Sequence, residues 1–301
     1  YCMKILSFGS MNIDNTYSVD EFVQPGETMT AKNLLKFCGG KGLNQSIALA
    51  SAGADVAHFG CVGEDGDILL DMLKSRGVNT DSVIKIDNIT SGHAIIQVDS
   101  HGQNSILLYP GANRRMTPEL IDRELEKYSC GDWLLIQNET NCLEYIMRAA
   151  NKKGMKIAFN PSPMDGTVST LPLELVDLFL VNEIEGAAVT GKEITEEITA
   201  EFEKLFPNAA VILTLGKKGS IFKSEKDMLF QPSYCGTVKD TTGAGDTYTG
   251  FFIANYIKGV SLQECMRIAA MASTVQISRD GAAIAIPTKQ EVLNALKNYC
   301  R

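Results

Sequence analysis

From Thr117 onward, apolar runs of strand length alternate with helix-compatible stretches of about ten residues, and this alternation narrows the possible folds more than any other feature of the chain. Trp133–Gln137 and Lys156–Asn160 are short and apolar enough to be buried strands, and residues 177–181 and 211–215 continue the series. Between them, residues 142–153 have helical character and stop at Gly154. Thr117 followed by Pro118 marks a helix start, because threonine caps well and proline suits the first helical position. Upstream, residues 4–9, 55–62 and 81–86 read as further strands, separated by helical runs at 46–52 and 67–76. Strands joined through helices return in the same direction. The expected fold is therefore α/β, a doubly wound, mostly parallel sheet flanked by helices, with residues 1–301 as one domain.

Two stretches depart from that rhythm. Residues 16–37 contain short mixed runs, Thr16-Tyr17-Ser18-Val19 and Thr28-Met29-Thr30-Ala31, on either side of Pro25-Gly26. Residues 92–109 contain two more runs around the turn-prone Asp99-Ser100-His101-Gly102. Both patterns suit exposed antiparallel strands, and together they predict a small sheet apart from the main one.

The buried strands end on polar residues: Asn12 and Asp14 after the first, Gln137-Asn138-Glu139, Asn160-Pro161, Asn182-Glu183-Ile184-Glu185 and Thr214-Leu215-Gly216 after later ones. In an open parallel sheet these ends share one edge, where ligands bind. Residues 240–246, Asp-Thr-Thr-Gly-Ala-Gly-Asp, run from a loop into a helix. Glycines allow a ligand close to the backbone, and the free N–H groups of a helix start attract anions. Asp246 there is either a helix cap or a catalytic base beside an anion hole. The stretch Cys38-Gly39-Gly40-Lys41-Gly42-Leu43-Asn44-Gln45 also opens a helix, and is a second place for close approach.

A net charge of −8 and a pI near 5.1, without any block of Lys and Arg, argue against a nucleic-acid surface. No apolar run reaches the length of a membrane span, and the first residues lack a signal-peptide core, so the expected location is the cytoplasm. The eight cysteines are scattered without a Cys-x-x-Cys pair, which points to idle thiols rather than zinc or disulfides. Residues 186–192 approach a Walker A loop, but Glu193 stands where Ser or Thr is required. Gly9-Ser10-Met11 after the first strand is no dinucleotide fingerprint, which disfavours an NAD-dependent oxidoreductase.

Gly39-Gly40-Lys41-Gly42 with Asn44-Gln45, taken together with residues 240–246, resembles the paired signature of the ribokinase-like (PfkB) carbohydrate and nucleoside kinases. Asn182-Glu183-Ile184-Glu185 looks like that family's Asn-x-x-Glu motif, and Gly111-Ala112-Asn113 and Asn12-Ile13-Asp14 resemble its ribokinase branch. The likeness runs from Met3 to Pro287. It implies a β-sheet lid from about residues 15–37 and 92–109 that also forms a homodimer contact. It implies transfer of the ATP γ-phosphoryl group to a sugar's primary hydroxyl, D-ribose giving D-ribose 5-phosphate. Fructokinase, deoxyribokinase and nucleoside kinase activities stay open, as does a non-catalytic sugar or nucleotide sensor. The partners implied are ATP and a small sugar.

Residue by residue, the resemblance makes Asp246 the base and the N–H groups of Gly243, Ala244 and Gly245 the anion hole. Asn12, Asp14, Gly39, Gly40, Lys41, Asn44 and Glu139 would hold the sugar. Asn182, Thr214, Gly216 and Gly219, with Gly245, would line the nucleotide, and Glu185 would orient water around Mg²⁺. Asp240 and the Thr242 carbonyl, with carbonyls from 275–285, would hold a monovalent cation, usually potassium. Two positions depart from the pattern, Thr249 where Asn is more frequent and Asp280 where Lys is common, and these leave the choice of sugar open.

Overall fold

The computed structural model describes residues 3–299. Its strands are β1 (Ile5–Phe8), β2 (Asn12–Ser18), β3 (Asn33–Gly39), β4 (Val56–Val62), β5 (Val83–Lys85), β6 (Gly92–Val98), β7 (Asn104–Tyr109), β8 (Trp133–Gln137), β9 (Lys156–Asn160), β10 (Leu178–Asn182), β11 (Ala210–Thr214), β12 (Gly219–Lys223) and β13 (Met228–Pro232). The helices are α1 (Lys41–Ser51), α2 (Asp67–Ser75), α3 (Pro118–Leu125), α4 (Leu143–Lys152), α5 (Glu183–Thr190), α6 (Thr195–Leu205), α7 (Ala244–Tyr256), α8 (Leu262–Ile277) and α9 (Lys289–Tyr299).

Nine strands form one sheet in the order β13-β12-β11-β10-β9-β8-β1-β4-β5. The run from β11 to β5 is parallel, and β12 and β13 close one edge as an antiparallel hairpin. Parallel strands covered on both faces must be apolar on both, and Leu134, Leu135 and Ile136 on β8 are all buried. Leu135, Ala158, Leu180 and Ile212 face a core completed by α1, α7, α8 and α9. Leu134, Ile136, Ile157 and Phe159 face the opposite core, completed by α3, α4 and α6. The two-residue period of each strand thus feeds two separate helical layers. The doubly wound α/β reading holds.

A separate four-stranded sheet has the order β3-β2-β6-β7. Its outer pairs are antiparallel, while β2 and β6 run parallel with Asn12 beside Gly92. Three local expectations change. Residues 28–31 form no strand; the second strand of this sheet is β3, further along. Asn12 and Asp14 lie within β2 of the small sheet rather than at the carboxyl end of β1. Helix α1 starts at Lys41, five residues earlier than the run at 46–52, because Gly42 lies in helical backbone against Gly9, where an added Cβ would stand 2.5 Å from backbone atoms. The Walker-like stretch falls mostly in α5, where Gly186 packs on Ile198. Cys38, Cys61, Cys130, Cys142, Cys235 and Cys265 are free thiols, and Cys2 and Cys300 lie outside the described residues.

Candidate active site

The carboxyl ends of the parallel strands meet at one edge, as their register dictates. Gln137 sits level with Asn160, and Asn182 level with Thr214. Helices α1 and α7 cross over this edge. They approach closely because Gly250 on α7 lies against Ala48 on α1, where an added Cβ would stand 2.3 Å from the alanine Cβ.

That crossing brings two amides of α1 onto the first turn of α7. Asn44 Nδ2 donates to Asp246 Oδ2 at 3.0 Å, and Gln45 Nε2 donates to Asp246 Oδ1 at 2.8 Å. Gln45 is itself held, its Oε1 accepting from Gln137 Nε2 at 2.7 Å and its Nε2 reaching Asn160 Oδ1 at 3.1 Å. Asp246 is 6% exposed, and bonds from neutral donors to a buried carboxylate contribute about 1.5–3 kcal/mol each. Asp246 is not the cap of α7. Gly243 occupies that position with φ 79°, and no side-chain cap bond is made. The Ala244 N–H bonds back to the Thr241 carbonyl at 3.2 Å, so the loop amides left for an anion are those of Gly243 and Gly245, both lining the cleft described below.

A second group, within electrostatic reach of Asp246, gathers at the start of α1. Glu139, after β8, accepts from the Ser10 hydroxyl and from the Lys41 N–H at 3.0 Å. The Gly42 N–H reaches Ser10 Oγ at 3.4 Å and the Leu43 N–H reaches the Ser10 carbonyl at 2.9 Å, so the start of α1 is capped from within the chain. The first N–H groups of α1 are therefore satisfied within the chain. Burial pushes the Glu139 carboxyl up, with the bonds from Ser10 and Lys41 opposing. Asp14 is pushed up to about 6, first by burial and then by the charge of Glu139. A Cβ at Gly39 would stand 2.2 Å from the Asp14 carboxylate and displace it, and Gly40 adopts φ 93°. Burial works to lower the Lys41 ammonium, but Asp246, Glu139 and Glu185 outweigh it and hold it above its usual value. Asn12 is committed to the fold, its Oδ1 accepting from Asn113 Nδ2 at 2.8 Å. Asn44 Oδ1 is buried and has no partner among the described residues.

A cleft of about 210 Å³ opens beside Asp246, lined by Lys41, Asn182, Glu185, Thr214 and the residue 243–246 turn among others. Asn182 and Glu185 form a capping box at the start of α5, Asn182 Oδ1 accepting from the Glu185 N–H at 2.8 Å and Glu185 Oε2 from the Asn182 N–H at 3.0 Å. Gly216 and Gly219 do not line this cleft. Gly219 adopts φ 123° where β12 meets β13, and a Cβ there would stand 2.1 Å from the Gln231 carbonyl oxygen. Glu185 on the cleft wall suits a hard, oxygen-seeking ion such as Mg²⁺.

The expected monovalent cation does not fit the residues present. Asp240 Oδ1 accepts from the Thr242 N–H at 2.9 Å, an Asx turn, and Oδ2 accepts from the Gly281 N–H at 3.0 Å. Burial pushes this carboxyl up, but these bonds outweigh it and hold it below the usual range. The Thr242 carbonyl accepts from Gln276 Nε2 at 2.6 Å. Sequence reasoning missed Gln45, Ser10 and Gln276, because each acts through a partner distant in the chain.

The family model for pfkB family carbohydrate kinases matches residues 3–289. A ribokinase of Haemophilus influenzae is 33% identical over 298 residues, covering 96% of this chain and 97% of its own. A deoxyribokinase of Salmonella typhi is 29% identical over 298 residues, covering 96% and 97% respectively. The structure of Arabidopsis thaliana ribokinase complexed with ribose and ATP superposes with a TM-score of 0.86 at 28% identity, covering 99% of each chain. With a family model that spans nearly its whole length and a relative above 30% identity, the chain belongs to the pfkB family of carbohydrate kinases.

Proposed function

We propose that the protein transfers the γ-phosphoryl group of ATP to the primary hydroxyl of a sugar, D-ribose before others, giving ADP and the sugar 5-phosphate. The observation that carries this reading is Asp246, buried and gripped by Asn44 and Gln45, at the mouth of a cleft whose wall is glycine amide and lysine. A kinase for a hydroxyl needs an acceptor for the hydroxyl proton, an anion-stabilising pocket and little covalent chemistry.

In this reading the nucleotide occupies the cleft between Asn182, Thr214 and the 243–246 turn, and the sugar lies on the side of Asp14, Gly40 and Asn44. The partnerless Asn44 Oδ1 supports that placement, since a buried acceptor left unmatched costs about 1–3 kcal/mol and a sugar hydroxyl would satisfy it. Asp246 accepts the proton of the attacking hydroxyl. The Gly243 and Gly245 N–H groups and the Lys41 ammonium meet the charge on the phosphoryl oxygens, a contribution of about 2.7–4 kcal/mol per well-placed donor. Mg²⁺ carried by the ATP phosphates, near Glu185, would neutralise phosphate charge. A potassium ion at Asp240 is left out, because the Gln276 amide NH₂ already stands on the Thr242 and Gly281 carbonyls beside it.

The small sheet is taken as a lid on a single α/β domain and as a contact between two copies. The exposed Ile106, Leu107 and Leu108 on β7 support the second role. No helix among the described residues is long and apolar enough to cross a membrane, and the unpaired thiols suit a reducing cytoplasm.

ADP release measured with D-ribose, 2-deoxyribose, fructose and a nucleoside tests the reading. D-ribose should give the highest kcat/KM; turnover with none of the four would end the kinase reading, and a preference for another sugar would reassign the substrate.

A further inference from the structure

A buried side chain braces the loop that carries the glycine amides. Gln276, on α8, is fully buried. Its Nε2 donates to the Thr242 carbonyl at 2.6 Å and to the Gly281 carbonyl at 3.3 Å, bridging two loops. The orientation of this amide is set by its surroundings, since turning it over would place its oxygen against two carbonyl oxygens. Around it the same loops are tied by Asp240 to the N–H groups of Thr242 and Gly281, and by the Lys239 and Asp240 N–H groups to the Ile277 carbonyl at 2.8 and 3.2 Å.

The Thr242 carbonyl belongs to the same planar peptide unit as the Gly243 N–H, and in a trans peptide the two point in opposite directions. A donor that fixes the carbonyl inside the protein therefore fixes the N–H outward, toward the cleft that Gly243 lines. It also polarises that N–H, because hydrogen bonds in series strengthen one another. A bound cation would do the same work from the same place, by drawing carbonyl oxygens together. Here an amide NH₂, carrying partial positive charge, stands between the oxygens instead.

We propose that Gln276 is a positioning residue that orients the Gly243 amide and stands in for a monovalent cation, so that catalysis does not depend on potassium. The proposal rests on the kinase reading for its kinetic arm, and it deepens that reading by removing an activator. Atoms of substrate do not touch Gln276; its effect passes through the Thr242–Gly243 peptide.

The test compares the wild type with Gln276→Met, close in volume but without the donor. Buffers of equal ionic strength hold either potassium or tetramethylammonium as the only monovalent cation. For the wild type, both the thermal midpoint and the rate of ADP release should be the same in the two buffers. The Met variant should lose about tenfold in kcat, the scale of one buried hydrogen bond, with KM for ATP and sugar unchanged. A wild type whose midpoint or turnover rises with potassium would overturn the proposal, and so would a Met variant with full kcat, or one whose loss lies in KM. If no sugar is turned over at all, the kinase reading fails and the thermal midpoints still decide whether the wild type binds potassium. If the Met variant fails to fold, Gln276→Asn, which keeps the amide on a shorter arm, takes its place with the same expected split.

Discussion

At the scale of single residues, the site depends on burial of charged groups that are rarely buried alone. Burial and then the charge of Glu139 push Asp14 up to about 6, burial raises Glu139, and the carboxylates around Lys41 hold its ammonium above the usual value. An acid with a raised pKa keeps its proton to a higher pH, so Asp14 is a carboxylate only above about pH 6. If Asp14 accepts a sugar hydroxyl, kcat/KM for the sugar falls as pH drops through about 6, and Asp14→Asn flattens that limb while lowering kcat/KM at neutral pH. A pH profile with no inflection near 6 in the wild type would remove Asp14 from sugar binding. Folding linkage has the same origin: the native state binds this proton more tightly than the unfolded chain, so Asp14's contribution to stability declines as pH rises from about 4 to about 6. Reading the residues alone leaves Asp246 open between a helix cap and a base, and Asn44 and Lys41 are singled out only through the family resemblance. Neither reading assigns a role to Gln45 or Gln276. Their meaning lies in partners 201 and 34 residues away, which no local pattern reports.

At the scale of elements, strands buried on both faces announced themselves, since Trp133–Gln137 and Lys156–Asn160 are near-continuous apolar runs. Hairpin β12–β13 escaped notice. It is an edge of mixed exposure, with Met228 and Phe230 turned out at 58% each, and an alternating pattern of that kind resembles a loop until its partner is known. The expected strand at residues 28–31 was lost for the converse reason, because Thr and Met side chains allow a strand that nothing there pairs with. In the small sheet, Ile106 and Leu107 on β7 are 59% and 67% exposed. Such a row on an outer strand is an invitation to a second sheet. Sedimentation should show a dimer for the wild type, and Leu107→Lys should shift it toward monomer with unchanged circular dichroism. A wild type that sediments as a monomer at micromolar concentration would remove the small sheet as a dimer contact.

At the scale of the whole molecule, the parallel sheet does one thing that no single element does: it delivers the polar ends of four strands, β8 to β11, to one edge, and lays α1 and α7 across it. The α/β class and the parallel run of the buried strands followed from the alternation of the sequence. The convergence of α1 on α7 did not, since it depends on Gly250 meeting Ala48 between helices about 200 residues apart. The consequence is that Asn44 of α1 meets Asp246 at the cleft that Asn182 and Thr214 line, and the proposed sugar and nucleotide sides adjoin there. Sugar 5-phosphate formed from ATP and D-ribose by Asp246→Asn, beside the wild type, tests that claim most directly. Loss of the carboxylate base should cut turnover by about 10²–10⁴-fold while the thermal midpoint and ATP binding stay close to wild type; turnover within a few-fold of the wild type would contradict the account.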